Sequence, residues 1–291
     1  MTPATAYREL TKPRLSLLAT LTAVAGFFLA EPGIPWSAAR LAALGIGTGL
    51  AAAACGALNQ WMERGPDGLM RRTEGRPLPA RALGPRAALV FGLALLVAGL
   101  ATVGVGANFT AMALTALTAA TYLFLYTPLK TRTAWCTVVG SLPGALPVLI
   151  GAAGRADDGH LSAAPWLGFA LLFCWQVPHF MALAVLWRDD YARGGFRIAT
   201  VEDPSGESAA AQSSAFLALL AAATAGALAA QAAHPLTWAV AVAATAAYVR
   251  LGARFDAPAT REAAARPFFL FSLLHLPAVL LALVLDRALR G

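Results

Sequence analysis

The sequence is short of charge. Only 13% of its 291 residues are Asp, Glu, Lys or Arg, where a soluble domain carries about 25%. That is about half the charge needed to cover a water-facing surface, which excludes a disordered chain and an ordinary soluble enzyme alike. Cysteine is scarce as well. Cys55, Cys136 and Cys174 stand far apart in apolar runs with no C-x-x-C pair, which excludes a secreted disulfide scaffold and a thiolate metal or redox motif, and reads as buried, inert thiols. The four histidines form no pair at ligand spacing. Apolar residues, in contrast, are abundant: 58% of the chain is hydrophobic and the mean hydropathy is +0.64. An integral membrane protein is the class that fits.

A spanning helix needs about 20 mostly apolar residues. Nine stretches qualify or nearly do, at about 14–30, 38–58, 87–105, 108–127, 134–153, 165–186, 213–231, 235–251 and 268–288. The first follows Lys12 and Arg14 as a signal peptide would, but eight further spans make it an anchor. The expected fold is an all-α integral membrane protein, a single domain over residues 1–291 with nine transmembrane helices around a central cavity. The net charge is +7. A basic balance suits nucleic acid or anionic lipid, and the apolar excess selects the lipid bilayer and no nucleic acid. If the N-terminus is cytoplasmic, 18 of the 22 Lys and Arg fall on the cytoplasmic side and only Arg40, Arg155, Arg287 and Arg290 on the other. That asymmetry predicts a multi-pass cell-membrane protein (the inner membrane of a bacterium) with its N-terminus inside.

The two longest cytoplasmic loops, about 59–86 and 187–212, hold eight of the fifteen acids. Each follows an even-numbered span, so both face the same side, and the four spans between them hint at a duplicated four-helix unit. In the first loop Asn59, Glu63 and Asp67 are spaced i, i+4, i+8, which lines three oxygen donors along one face of a helix. Such a set suits a hard cation, and Mg²⁺ takes one or two carboxylates together with waters and substrate phosphates. Arg71, Arg72 and Arg76 follow, with forked donors for phosphate oxygens. A solvated basic loop is the plain alternative. Gly65-Pro66 should end or kink the helix near Arg64 and leave Asp67 in the loop. The second loop repeats the ingredients in Arg188-Asp189-Asp190-Tyr191-Ala192-Arg193. Adjacent acids point in different directions, so one is free to bind metal while the other pairs with arginine. The spans themselves carry Asn108, Tyr122, Tyr126, Gln176 and His179, with Lys130 just beyond the fourth. An ionisable residue inside a span is a functional candidate, although His179 also fits as a packing residue. His160, His234 and His275 have no supporting neighbours.

Four stretches carry a likeness to a known family: Leu10-Thr11-Lys12-Pro13-Arg14, Asn59 to Pro79, Tyr126 to Thr133, and Trp175 to Gly195. In order along the chain they resemble the UbiA superfamily of intramembrane prenyltransferases, and Trp175-Gln176-Val177-Pro178-His179-Phe180 resembles its heme-modifying branch. The resemblance implies transfer of the farnesyl group of farnesyl diphosphate to a vinyl group of heme B (protoheme IX), with hydration, giving heme O and diphosphate. It implies Mg²⁺ at Asn59, Glu63, Asp67 and Asp190. Arg71, Arg72, Arg76, Lys130, Arg132, Arg188 and Arg193 would bind substrate, and Tyr126 would donate a hydrogen bond. His179 would face the porphyrin as iron ligand, propionate partner or base. A heme A synthase or terminal oxidase assembly partner would take the product. Three positions depart from the pattern. Glu63 stands where the superfamily has Asp, Gly65-Pro66 interrupts the metal motif, and Leu186 replaces the first Asp of the second acidic motif, which Asp190 completes. An aromatic quinone precursor is the alternative acceptor, and an anion transporter the rival class. The acids gather at one membrane face rather than near the midplane that a transporter uses.

Overall fold

The computed structural model describes residues 1–30 and 35–290, the last by its backbone only. No strand occurs among the described residues. The first half comprises α1 (Pro3–Leu10), α2 (Pro13–Leu29), α3 (Ala38–Met62), α4 (Arg64–Asp67), α5 (Pro85–Gly106) and α6 (Phe109–Ala120), which passes through a π-helical turn (Thr121–Tyr126) into α7 (Thr127–Leu129), and α8 (Cys136–Arg155). The second comprises α9 (Ala163–Leu186), α10 (Arg188–Arg193), α11 (Ala199–Glu202), α12 (Glu207–Ala230), α13 (Pro235–Asp256) and α14 (Arg261–Arg290). Among the described residues eight helices, with α6 and α7 counted as one, are long and apolar enough to cross a bilayer. The ninth is α2, only 17 residues long, which passes together with α1 across a 41° bend.

Local chemistry sets the starts of these helices. Proline opens α1, α2, α5 and α13, where its missing N–H has no helical partner to lose. Ser37 and Asn108 cap α3 and α6 by accepting from the backbone N–H of Arg40 and Ala111. Asn108 also donates to the carbonyls of Ala153 and Ala156, 2.7 Å each. It is therefore a structural clasp at one end of the bundle, not a polar group at membrane depth.

Each half follows the same plan. A long helix (α3, α9) leads into a loop that opens with a short helix (α4, α10), and the chain returns through an adjacent span (α5, α12). The first span, α2, packs against α3 and α8 and also meets α9 and α14, which closes the ring. Its approach to α8 needs glycine: a Cβ on Gly26 would strike the Val148 backbone, and one on Gly151 the Ala23 carbonyl. Small residues at such crossings let backbones meet where lipid offers no hydrophobic drive. Leu18, Val97, Phe124 and Leu274 point outward and are exposed, as a lipid solvent permits.

Contacts assign the loops to two ends. At one end Lys12 bonds Asn59, Lys130 bonds Glu63 and Arg71 bonds Asp190, and Arg261 joins Ser205 there. At the other end Arg40 pairs with Asp157 at 2.5 Å and Arg287 bonds Ala30 O at 3.0 Å.

Candidate active site

The end of α3 carries the first acidic set. Glu63 N bonds Asn59 O at 2.9 Å and Asp67 N bonds Glu63 O at 2.8 Å. The one-turn spacing thus survives the proline. Pro66 cannot donate, so α3 stops at Met62, two residues earlier than expected, and Glu63 caps it. The chain then makes one more turn, α4, so Asp67 sits in a helical turn rather than a loop. Asn59, Glu63 and Asp67 are all buried, at 1%, 6% and 1% exposure, and buried charge requires a partner. Lys12 Nζ donates to Asn59 Oδ1 at 2.7 Å, and Asn59 Nδ2 donates to Thr127 Oγ1 at 3.1 Å. Lys130 Nζ reaches Glu63 Oε1 at 2.8 Å. Arg76 Nη1 spans both oxygens of Asp67 at 2.7 Å. Burial opposes the Lys130 ammonium, but the adjoining Glu63 carboxylate outweighs it and raises the pKa above the ordinary lysine value. The same ammonium lies 4.7 Å over the Tyr126 ring, which the π-helical turn presents; such turns recur at functional sites.

The second set folds onto the first. Asp190, buried on α10, accepts the backbone N–H groups of Arg71 and Arg72 at 3.3 Å each and pairs with Arg193. Its neighbour Asp189 turns outward and meets Arg188 only at 3.7 Å. The guanidinium of Arg72 lies 5.0 Å over Tyr191 and 5.7 Å over Trp187. Met70 packs with Ala184, Phe196 and Ile198 behind this contact, and Arg197 N bonds Lys130 O at 2.7 Å. The two loops, 119 residues apart in sequence at Arg71 and Asp190, form one surface.

The remaining candidates lie around it. The side chains of Arg71 and Arg132 are exposed at the rim. Arg188 donates to Pro204 O at 3.1 Å and so braces the second loop internally. His179 sits deeper, seven residues before the end of α9, which is about 10 Å along the axis. Its Nδ1 is 2.6 Å from Ser272 Oγ, and its ring stacks on Trp175. Gln176 bridges α9 to α8 through Ser141 O at 3.2 Å, a packing role.

Sequence reasoning missed Lys12 and Thr127, which hold Asn59 from either side. A signal for Lys12 existed: of 22 basic residues only two are lysine, Lys12 and Lys130, and both enter the acidic set. A compact ammonium on a flexible stem fits where a guanidinium fork would not. Lys12 takes a left-handed φ of 47° at the junction of α1 and α2, a conformation costly for a residue with a Cβ and characteristic of functional positions.

Among the described residues, no group of three or more His, Cys, Asp and Glu could hold a metal ion alone. Glu63 and Asp67 are nonetheless hard oxygen donors one turn apart, with Asn59 beside them. Mg²⁺ asks no more of a protein when phosphate oxygens and water complete its shell, so the donor set fits an ion shared with a phosphorylated ligand. Alternating carboxylates and cations at one end of an apolar bundle form a charged site at the membrane end of an intramembrane protein.

The chain belongs to the UbiA prenyltransferase family, which matches residues 19–274. It is 40% identical over 289 residues to a protoheme IX farnesyltransferase of Opitutus terrae, covering 97% of this chain and 94% of that one. Among solved structures it is similar to an apo UbiA homolog from Aeropyrum pernix (TM-score 0.75, 20% identity, 94% and 98% covered). It is also similar to a UbiA homolog from Archaeoglobus fulgidus bound to DMAPP and Mg²⁺ (TM-score 0.68, 18% identity, 96% and 99% covered). These structures share the fold.

Proposed function

We propose that this protein transfers the farnesyl group of farnesyl diphosphate to a vinyl group of heme B, with addition of water, to give heme O and diphosphate. One observation carries the geometric part of the reading: Asp190 of the second loop is bonded to the backbone of Arg71 and Arg72 in the first, so both loops address one headgroup. The choice of acceptor rests on the likeness to protoheme IX farnesyltransferase and on the Trp175 to Phe180 segment.

In this reading the ion pairs are places held for substrate. Lys130, Arg76 and Arg193 move from carboxylates to diphosphate oxygens, joined by Lys12 and Arg72. Asn59, Glu63, Asp67 and Asp190 are thereby freed as oxygen donors. Mg²⁺, when bound, supplies Lewis-acid stabilisation of the charge on the departing diphosphate. The allylic C–O bond breaks with its electron pair on diphosphate, and the preorganised cations meet that charge as it develops. The vinyl π-bond captures the allylic carbon, water adds to the cation so formed, and a proton leaves. Apolar helices keep the first cation from premature water. The excess of basic residues at the charged end supports its facing the cytoplasm.

The test is an incubation of the purified protein with Mg²⁺, farnesyl diphosphate and either heme B or 4-hydroxybenzoate, followed by mass spectrometry. Heme B converted to heme O supports the proposal. Farnesylation of the benzoate with heme B left unchanged selects the alternative acceptor.

A further inference from the structure

The environment of His179 determines which of its nitrogens is available. Ser272 on α14 is fully buried and has one hydroxyl hydrogen. Its Oγ stands 2.5 Å from Phe269 O and 2.6 Å from His179 Nδ1. A carbonyl oxygen only accepts, so Ser272 Oγ directs its hydrogen to Phe269 O and turns a lone pair to the imidazole. Nδ1 must then carry a hydrogen and donate it. In a neutral imidazole that leaves the lone pair on Nε2.

The ring cannot readily turn away. Trp175 stacks on it with centroids 4.7 Å apart and planes 21° apart, and Trp175 Nε1 donates to Ser272 O at 3.1 Å. Phe269 lies against the ring at 4.9 Å. One turn of α14, from Phe269 to Ser272, therefore fixes both the imidazole and the indole beside it. His179 Nε2 has no hydrogen-bond partner among the described residues, yet it does not fall among their sealed, unpartnered polar atoms, as His275 Nδ1 does. His179 is only half-buried, so Nε2 opens on accessible space.

We propose that Ser272 is a positioning residue that sets the tautomer and orientation of His179 so that Nε2 ligates the iron of the heme B substrate. The inference rests on the heme reading of the preceding subsection. Histidine that ligates a metal normally donates its other N–H to a fixed acceptor, which holds the ring and raises the basicity of the ligating nitrogen. Neutral imidazole is a common iron ligand in heme proteins. A ligand at this depth in α9 would hold the porphyrin in the apolar bundle, beneath the charged surface that takes the diphosphate.

Titration of the full-length protein in nanodiscs with ferric heme B, without farnesyl diphosphate, tests this by visible absorption and electron paramagnetic resonance. The wild type should show a nitrogen-ligated heme and His179→Ala should lose it. Ser272→Ala should bind heme B roughly 10-fold more weakly with an altered resonance anisotropy, and Ser272→Thr, which keeps the hydroxyl, should restore both. In turnover, Ser272→Ala should raise KM for heme B and leave KM for farnesyl diphosphate unchanged, which also shows an intact bundle. A wild-type spectrum without a nitrogen ligand overturns the proposal. So does a Ser272→Ala protein whose heme spectrum and heme KM match the wild type. A wild type that ligates heme through nitrogen, with the predicted variant spectra but no heme O produced, refutes the proposed activity and supports the role of Ser272.

Discussion

Replacing Asp190 by alanine should release the first loop from the second without unfolding the bundle. Asp190 accepts two backbone N–H groups and one guanidinium. Hydrogen bonds to charged groups contribute roughly 1.5–3 kcal/mol, but those from Arg71 and Arg72 are 3.3 Å long, beyond the 2.7–2.9 Å of strong charge-assisted bonds. About 1 kcal/mol each is the fitting value. Arg193 is 40% exposed at its side chain and returns to water at little cost. The bonds from Arg71 and Arg72 are only partly buried, so their freed N–H groups reach water when the loop opens and add little orphan penalty. The sum, about 2 kcal/mol, corresponds to about 30-fold more frequent opening of the loop. Hydrogen–deuterium exchange of a peptide over residues 69–74 should speed up by about that factor in Asp190→Ala. Asp190→Asn retains one acceptor oxygen and should give a smaller effect, while peptides from α9 and α12 stay protected. If the loop peptide exchanges at the wild-type rate in both variants, the claim that Asp190 docks the two loops is wrong.

Other consequences concern the site itself. Lys12→Met removes a half-buried hydrogen bond to Asn59, roughly 0.5–1.5 kcal/mol, so kcat/KM for farnesyl diphosphate should fall about 2- to 10-fold. Lys12→Arg should fail to rescue it, because a planar fork does not replace a point donor; full activity of Lys12→Met would remove Lys12 from the site. Asp67→Ala and Asn59→Ala should nearly abolish turnover while the protein remains inserted, as shown by normal membrane yield. Excess chelator should stop turnover and added Mg²⁺ restore it; undiminished activity in chelator contradicts the metal assignment.

The hydrophobic spans were legible because each needs only length and composition. Even the marginal first one, α2, follows from its apolar run, although the 41° bend at Thr11 and Lys12 left no trace in hydropathy. The i, i+4, i+8 spacing of Asn59, Glu63 and Asp67 was legible as well. The way the chain passes Pro66 was not, because α4 depends on the Glu63 carbonyl finding the Asp67 amide beyond a missing donor. The pairing of acids with cations was hidden for a different reason. Lys130–Glu63 and Lys12–Asn59 cross from one span to another, and no local period encodes which loop residue meets which. The packing of the Tyr126 ring, at the end of the π-helical turn, onto Gly140 is likewise a contact between spans. Ser272 escaped notice because a lone serine in an apolar helix is ordinary until its neighbour on another helix proves to be a histidine.

The most direct measurement is an experimental structure of the protein with Mg²⁺ and farnesyl thiodiphosphate, which resists ionisation. The account predicts one thiodiphosphate contacted from both loops, by Arg76 or Lys130 on one side and Arg193 or Asp190 on the other, with its tail among the helices. A headgroup held by one loop alone, or bound at the Arg40–Asp157 end, would contradict it.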